Sequence, residues 1–246
     1  MDVNSAQALK DAVNSRTSYV RLIANIELNN STLTVSSGTI TLDLNGKTLS
    51  ATRTSNGAAT CISVNGGNLT ITGGGIISAT AKGTTGGSLG SWKNGYDGIA
   101  LSYNVGNVVI RNATFKAATK GAGIVSGSDG TAYTIDTNGT AIKMLIPTGA
   151  YMDSNEYENT TGLKSTSTTV SLINYNVTYN PNGGMPQPAN ATYTIESSNL
   201  SLPKVSKEGY DFVGWKYGSK TYDSDKIEKE DLPTTTERAS QVNMAF

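Results

Sequence analysis

The sequence predicts a mainly β protein: a right-handed parallel β-helix (solenoid) with a short N-terminal capping helix, followed by a small, separate C-terminal domain. Three observations carry this. An apolar x apolar pattern recurs along the first two thirds of the chain, a turn signal follows each copy, and the residue texture changes abruptly near Asn174.

The first element is helical. Asn4 or Ser5 can cap the stretch Ala6 to Val13, which places Leu9, Ala12 and Val13 on one face. A solenoid needs such a cover at its open end, where an uncapped coil would expose apolar core and unpaired strand edge.

The repeat is read from Leu42-x-Leu44 with Leu49 seven residues after the first Leu. It returns as Leu69-x-Ile71 with Ile76, as Val108-x-Ile110 with Phe115, and as Met144-x-Ile146 with Tyr151. A second apolar pair precedes each copy: Leu33/Val35, Ile62/Val64, Ile99/Leu101 and, more degenerate, Tyr133/Ile135. Alternation within each pair marks a strand buried on one face. Gly46, Gly73 and Asn112 stand at one offset in three copies, with Thr148-Gly149 in the fourth, which suggests a turn of fixed geometry. The first two copies are 27 residues apart, and the later spacings of 39 and 36 imply insertions at about residues 82–96 and 118–130. A barrel or sandwich could use similar strands but would not obviously repeat this turn. Residues 151–171 are either a last loose coil or a linker, so the expected division is 1–171 and 172–246.

Composition narrows the function. Charged residues make up 15% of the chain, with 19 Lys and Arg against 19 Asp and Glu. That balance argues against a nucleic-acid partner. No apolar run is long enough to span a bilayer, so no membrane insertion is expected in this segment. Histidine is absent, which removes the commonest general base and the commonest zinc ligand, and no cofactor is expected. Cys61, the single cysteine, sits in an apolar strand pattern and reads as a small core residue.

From Asn174 onward, aromatics and charges become denser and five of the six prolines occur. Val177-Thr178-Tyr179-Asn180-Pro181-Asn182-Gly183-Gly184 is followed by Leu200-Ser201-Leu202-Pro203. Then come Glu208-Gly209-Tyr210-Asp211-Phe212-Val213-Gly214-Trp215, Lys220-Thr221-Tyr222-Asp223 and Val242-Asn243-Met244-Ala245-Phe246. This order closely resembles the Listeria–Bacteroides repeat, the B-repeat of internalin-like surface proteins. Two departures are Phe246 where the family usually has Trp, and Val205-Ser206-Lys207 where it has Pro-Thr-Arg. The resemblance implies a β-grasp-like module on an exported bacterial protein, with no catalytic residues to carry over. An extracellular, cell-surface location is therefore expected, with the export signal and anchor outside this sequence. Tyr210, Phe212 and Trp215 read as an aromatic core. Less specifically, Ala8 to Val13, Ile26 to Leu28 and Leu42 to Lys47 resemble the capped first coil of β-helix regions in gut-bacterial surface proteins.

Polysaccharide-active enzymes also use β-helices, and hydrolysis needs two carboxylates across a bond. The outward residues expected from the repeat are Asp43, Thr70, Val109 and Leu145, beside Asn45, Thr72, Arg111 and Pro147. The preceding strands offer Thr34, Ser63, Ala100 and Thr134, beside Ser36, Asn65, Ser102 and Asp136. Coils stack about 4.8 Å apart, so the isolated Asp43 and Asp136 cannot pair. The reading is therefore non-catalytic: an adhesive or ligand-binding surface protein, with the solenoid as rigid spacer or binding surface. The alternative is a polysaccharide lyase or glycoside hydrolase whose site lies on the insertions. Ligand-binding candidates are Trp92 and Tyr96, which could stack on a sugar, and Asp97, which could bond its hydroxyls; Trp92 could equally cover apolar coil surface. No catalytic or metal-binding set emerges, and the partner expected is a glycan or a host or bacterial surface protein.

Overall fold

The computed structural model describes residues 1–82, 98–117, 121–126, 131–132, 144–146, 148–158, 164–232, 234 and 240–245. The chain forms two compact units, Met1–Pro147 with Met152–Ser171, and Thr148–Tyr151 with Leu172–Phe246. Both are built mainly from β-strands.

In the first unit the helix is Ala6–Asn14, and the Ser5 side chain accepts a hydrogen bond from the Ala8 amide at 3.3 Å. That cap satisfies one of the donors left open at a helix start. Leu9, Ala12 and Val13 are buried, and the helix packs on strands Leu33–Val35 and Tyr19–Leu22.

The strands then recur in a fixed order through three parallel ladders. In the first ladder Leu33, Ile62 and Leu101 stand in register, as do Val35, Val64 and Tyr103, and Ile124 continues beyond Leu101. In the second, Val20, Leu42, Ile71 and Ile110 align, with Ile40, Leu69, Val108 and Met144 beside them. In the third, Ile26, Leu49, Ile77 and Phe115 align. The apolar side chains of these rows whose burial is described point inward and are between 0% and 3% exposed. Each buried Leu, Ile or Phe contributes roughly 1.5–3 kcal/mol relative to an exposed one, so the stacked rows hold the unit together.

The sheet is mixed. Lys164–Leu172 runs antiparallel to Ala113–Ala117 and closes the third ladder, burying Thr168 and Val170. Thr131–Ala132 runs antiparallel to Gly121–Ser126. Residues 151–171 therefore include strand, not linker alone.

The register differs from the sequence reading at several points. Leu69-x-Ile71 pairs with Ile40-x-Leu42, not with Leu42-x-Leu44, so the first offset is 29 residues, as in the Asn68–Thr39 contact, and the next is 39, as in Asn107–Asn68. Ile77, not Ile76, occupies the inward row; Ile76 is 40% exposed. Ile62/Val64 pairs with Leu101/Tyr103, which turns Ala100 inward and puts Ser102 beside Ser63. The fourth member of the first ladder is Gly121–Ser126, inside a stretch expected to be an insertion.

The turns also differ. Asn45 and Gly46 both take positive φ, with the Lys47 amide donating to the Leu44 carbonyl at 2.8 Å. The second copy uses three consecutive positive-φ glycines, Gly73 to Gly75, and Asn112 in the third is not left-handed. The connections shorten from coil to coil, so a pattern aligned on the turn slips against the strands.

In the second unit Tyr175–Asn180 lies between Ala191–Tyr193, antiparallel, and Ser240–Ala245, parallel. Trp215–Tyr217 pairs antiparallel with Lys220–Tyr222 and with Ser240–Ala245. A separate pair joins Asn199–Ser201 to Lys226–Glu228. Tyr175, Val177 and Tyr179 alternate with polar residues and face a core containing Trp215, Tyr193, Leu200 and Ile227. Tyr175 and Tyr193 stack at 4.9 Å, and Tyr179 meets Trp215 edge-on at 4.9 Å. The buried indole donates to the Pro203 carbonyl at 2.8 Å, as a buried Trp requires. Of the three aromatics expected in this core, Trp215 is fully buried and Phe212 packs against it, but Tyr210 is 66% exposed, with the Lys207 ammonium 4.5 Å from its ring centre.

Candidate binding surface

The outward rows of the second ladder follow from the inward ones, because side chains alternate along a strand. One row runs Tyr19, Thr41, Thr70 and Val109, and the backbone of Leu145 pairs beside Val109. The neighbouring row runs Asp2, Arg21, Asp43 and Thr72. Asp43 thus stands beside Thr72, one position from its expected place beside Thr70.

Asp43 organises this face. Its Oδ2 accepts from the Tyr19 hydroxyl at 2.5 Å, and its Oδ1 accepts from the Asn45 amide at 2.8 Å. Arg21 Nε lies 3.8 Å from Oδ2, while Arg21 Nη2 donates to Asn45 Oδ1 at 3.1 Å. Asn45 Nδ2 in turn donates to the Leu22 carbonyl at 3.0 Å. The bond to Asp43, then partial burial, pushes the Tyr19 phenol above its ordinary pKa. Both carboxylate oxygens are engaged, which leaves Asp43 poorly placed to carry a substrate proton.

Tyr19 is 46% exposed, in register with Thr41 and, one coil further on, with Thr70. Such a face can stack an apolar ring surface and hydrogen-bond a polyol. Tyr19 and Arg21 were not among the outward residues expected from the repeat, which began later in the chain. The alternation Tyr19-Val20-Arg21-Leu22 was the available signal.

Trp92, Tyr96 and Asp97, the ligand-binding candidates of the sequence, lie outside the described residues, as do Asp129, Thr134, Asp136 and Pro147. Among the described residues no group of His, Cys, Asp or Glu is placed to hold a metal ion. The acidic stretch of the second unit forms exposed ion pairs, Lys220–Asp231 at 2.6 Å and Lys226–Glu228 at 2.7 Å. Among the described residues no helix is long and apolar enough to cross a membrane.

The strand arrangement defines a mainly β protein whose second unit is a small aromatic-cored module. Residues 175–237 match the family model of the Listeria-Bacteroides repeat domain, which places that repeat at the C-terminus. The repeat is typical of bacterial surface proteins, in keeping with a surface role. Comparison with curated proteins and with solved structures finds no match.

Proposed function

We propose that this chain is a non-catalytic, extracellular surface protein of a bacterium, in which the first unit is a right-handed parallel β-solenoid that presents a ligand-binding face and the second is a β-grasp-like B-repeat. The observation supporting the solenoid is the order of the ladders: from Tyr19–Leu22 to Gly121–Ser126 successive strands visit the three ladders in turn, each parallel to its predecessor in the same ladder. Crossovers between parallel strands of one sheet are right-handed in nearly all proteins, because strand twist packs the connection back only that way.

The binding role rests on the outward rows. They present the Thr41, Thr70 and Thr72 hydroxyls at strand spacing, with Tyr19 in the Thr41 row, and the Asp43 carboxylate is already satisfied by neighbours. The ligand best suited to that surface is a glycan, with adhesion to a host or bacterial surface as the biological outcome. Trp92, Tyr96 and Asp97 remain the sequence's own candidates for the same ligand.

The test is incubation with a panel of host and plant polysaccharides, following both retention and release of reducing ends or unsaturated products. Retention without turnover is expected, weakened by Tyr19→Ala or Trp92→Ala. Turnover of any polymer overturns the non-catalytic reading.

A further inference from the structure

On the first unit, a pocket of about 130 Å³ opens between the turn Asn29 to Thr32 and the turn that follows strand Thr48–Thr52, and it is lined chiefly by Asn29, Asn30, Ser31, Thr32, Arg53 and Thr60. We propose that this pocket binds the carboxylate of an acidic sugar, with Arg53 as the anion-binding residue. The proposal rests on the glycan-binding reading above and gives it a ligand class and a second site.

Arg53 is the cation that lines the pocket, while Lys10 bonds the lining residue Ser31 and Lys82 bonds Thr54 next to Arg53; each of the three is held by a neutral oxygen. Arg53 Nη1 donates to the Asn30 carbonyl at 3.1 Å, Lys10 Nζ to Ser31 Oγ at 2.7 Å, and Lys82 Nζ to the Thr54 carbonyl at 2.8 Å. Arg53 Nε is covered and has no hydrogen-bond partner among the described residues. A covered guanidinium donor without a partner is a standing cost that an acceptor reaching it would remove.

The acid of the neighbouring strand does not serve. Glu27 accepts from the Asn29 amide at 2.9 Å, the Thr52 amide at 2.8 Å and the Ser50 hydroxyl at 2.6 Å. Those bonds tie the turn to the strand beside it and leave Arg53 without an anionic partner among the described residues.

The remaining lining selects the ligand. A guanidinium presents parallel donors that match a planar carboxylate. Asn30 is fixed by its bonds with Thr54, and Thr32 donates to the Thr60 carbonyl. The side-chain amide of Asn29 and the hydroxyl of Thr60, by contrast, make no hydrogen bond among the described residues, and they offer the mixed donors and acceptors that sugar hydroxyls require. Asn29 is in place because its positive φ of 52° turns the chain at the mouth of the pocket.

The experiment is calorimetric titration of the full chain with a hyaluronan tetrasaccharide, which carries glucuronate, against its carboxyl-reduced counterpart and a sulfated, uronate-free oligosaccharide. The glucuronate form is expected to bind, the reduced form at least about 10-fold more weakly, and Arg53→Gln to cause a similar loss, with Arg53→Lys in between. Tighter binding of the sulfated sugar, or binding that Arg53→Gln leaves unchanged, overturns the assignment. Absence of glucuronate binding also overturns it; if neutral polysaccharides are still retained, the surface-binding reading survives that failure. A variant that fails to fold is bypassed by nitrogen-edited NMR of the wild-type chain. There the Arg53 Nε–H resonance must move on addition of the tetrasaccharide, and a stationary resonance overturns the site.

Discussion

Gly106 lies directly against the backbone of Gly67: a Cβ on Gly106 would stand 2.0 Å from the Gly67 carbonyl oxygen, at a φ of 100°. The two glycines are at the corner where two long strands, Ala59–Thr72 and Gly98–Ile110, pass from the first ladder into the second. Gly106→Ala must therefore push neighbouring backbones apart, and a loss of about 3 kcal/mol or more is expected in urea unfolding. Gly46 also has a positive φ, of 70°, but open space around it, so Gly46→Ala should cost only about 1 kcal/mol. Equal losses at the two sites would refute the close approach.

The register itself can be tested through two adjacent isoleucines. Ile77 is 0% exposed in the inward row with Leu49 and Phe115, whereas Ile76 is 40% exposed. Ile77→Ala should cost roughly 2–5 kcal/mol, and Ile76→Thr less than about 0.5 kcal/mol. A reversal of this order would restore the alignment that the sequence first suggested.

That pair also shows what was legible in the sequence. The existence of strand pairs and the helix with Ser5 and its Leu9, Ala12 and Val13 face followed from alternation and capping chemistry, and the C-terminal repeat from its resemblance to a known family. Register did not, because it was counted from turns whose lengths differ: residues 44–47 in the first coil, Gly73 to Gly75 in the second and Arg111-Asn112 in the third. Tyr210 was misplaced for a related reason: its neighbours Phe212 and Trp215 pack inward, but the bend at Lys207–Tyr210 turns its ring outward over Lys207. Lys82 comes to the segment of Arg53 through the Thr52–Thr80 register and the pairing of Gly57 with Lys82, which no local pattern encodes.

In the second unit the buried indole is both filler and donor. Trp215→Phe keeps an aromatic ring but abandons the Pro203 carbonyl and leaves space beside Tyr179. A loss of about 2–4 kcal/mol is expected from the cavity and the unpaired carbonyl together. Near-ultraviolet circular dichroism during urea unfolding should report it, and an unchanged midpoint would count against this core.

Tyr193 makes the same core sensitive to alkali. It is 2% exposed, and burial, followed by the nearby Tyr175, Tyr217 and Tyr222, pushes its phenol well above the ordinary value. A folded-state pKa above the unfolded one, near 10, means the folded chain holds the proton more tightly. Its contribution is therefore fully present below about pH 10 and is lost as pH rises toward the folded value. Urea midpoints should be flat from pH 7 to 9 and fall at pH 11, and Tyr193→Phe should flatten that fall. A midpoint that rises with alkali would contradict the assignment.

Cys61 gives the most direct test of the stacked interior, because it is the single cysteine of the chain. Its side chain is fully buried, with Sγ 3.6 Å from the Leu49 carbonyl oxygen of the facing ladder. Burial, and secondarily the charge of Glu27, pushes the thiol far above its ordinary pKa, so thiolate forms only when the ladders separate. Ellman's reagent at pH 8 should leave the native chain unmodified for hours and react at one thiol per chain in concentrated urea. The native labelling rate then measures opening of the interior, and Gly106→Ala should raise it at least 10-fold if the corner and the core belong to one cooperative unit. Rapid, complete labelling of the native chain would mean that the inward rows are not closed around Cys61.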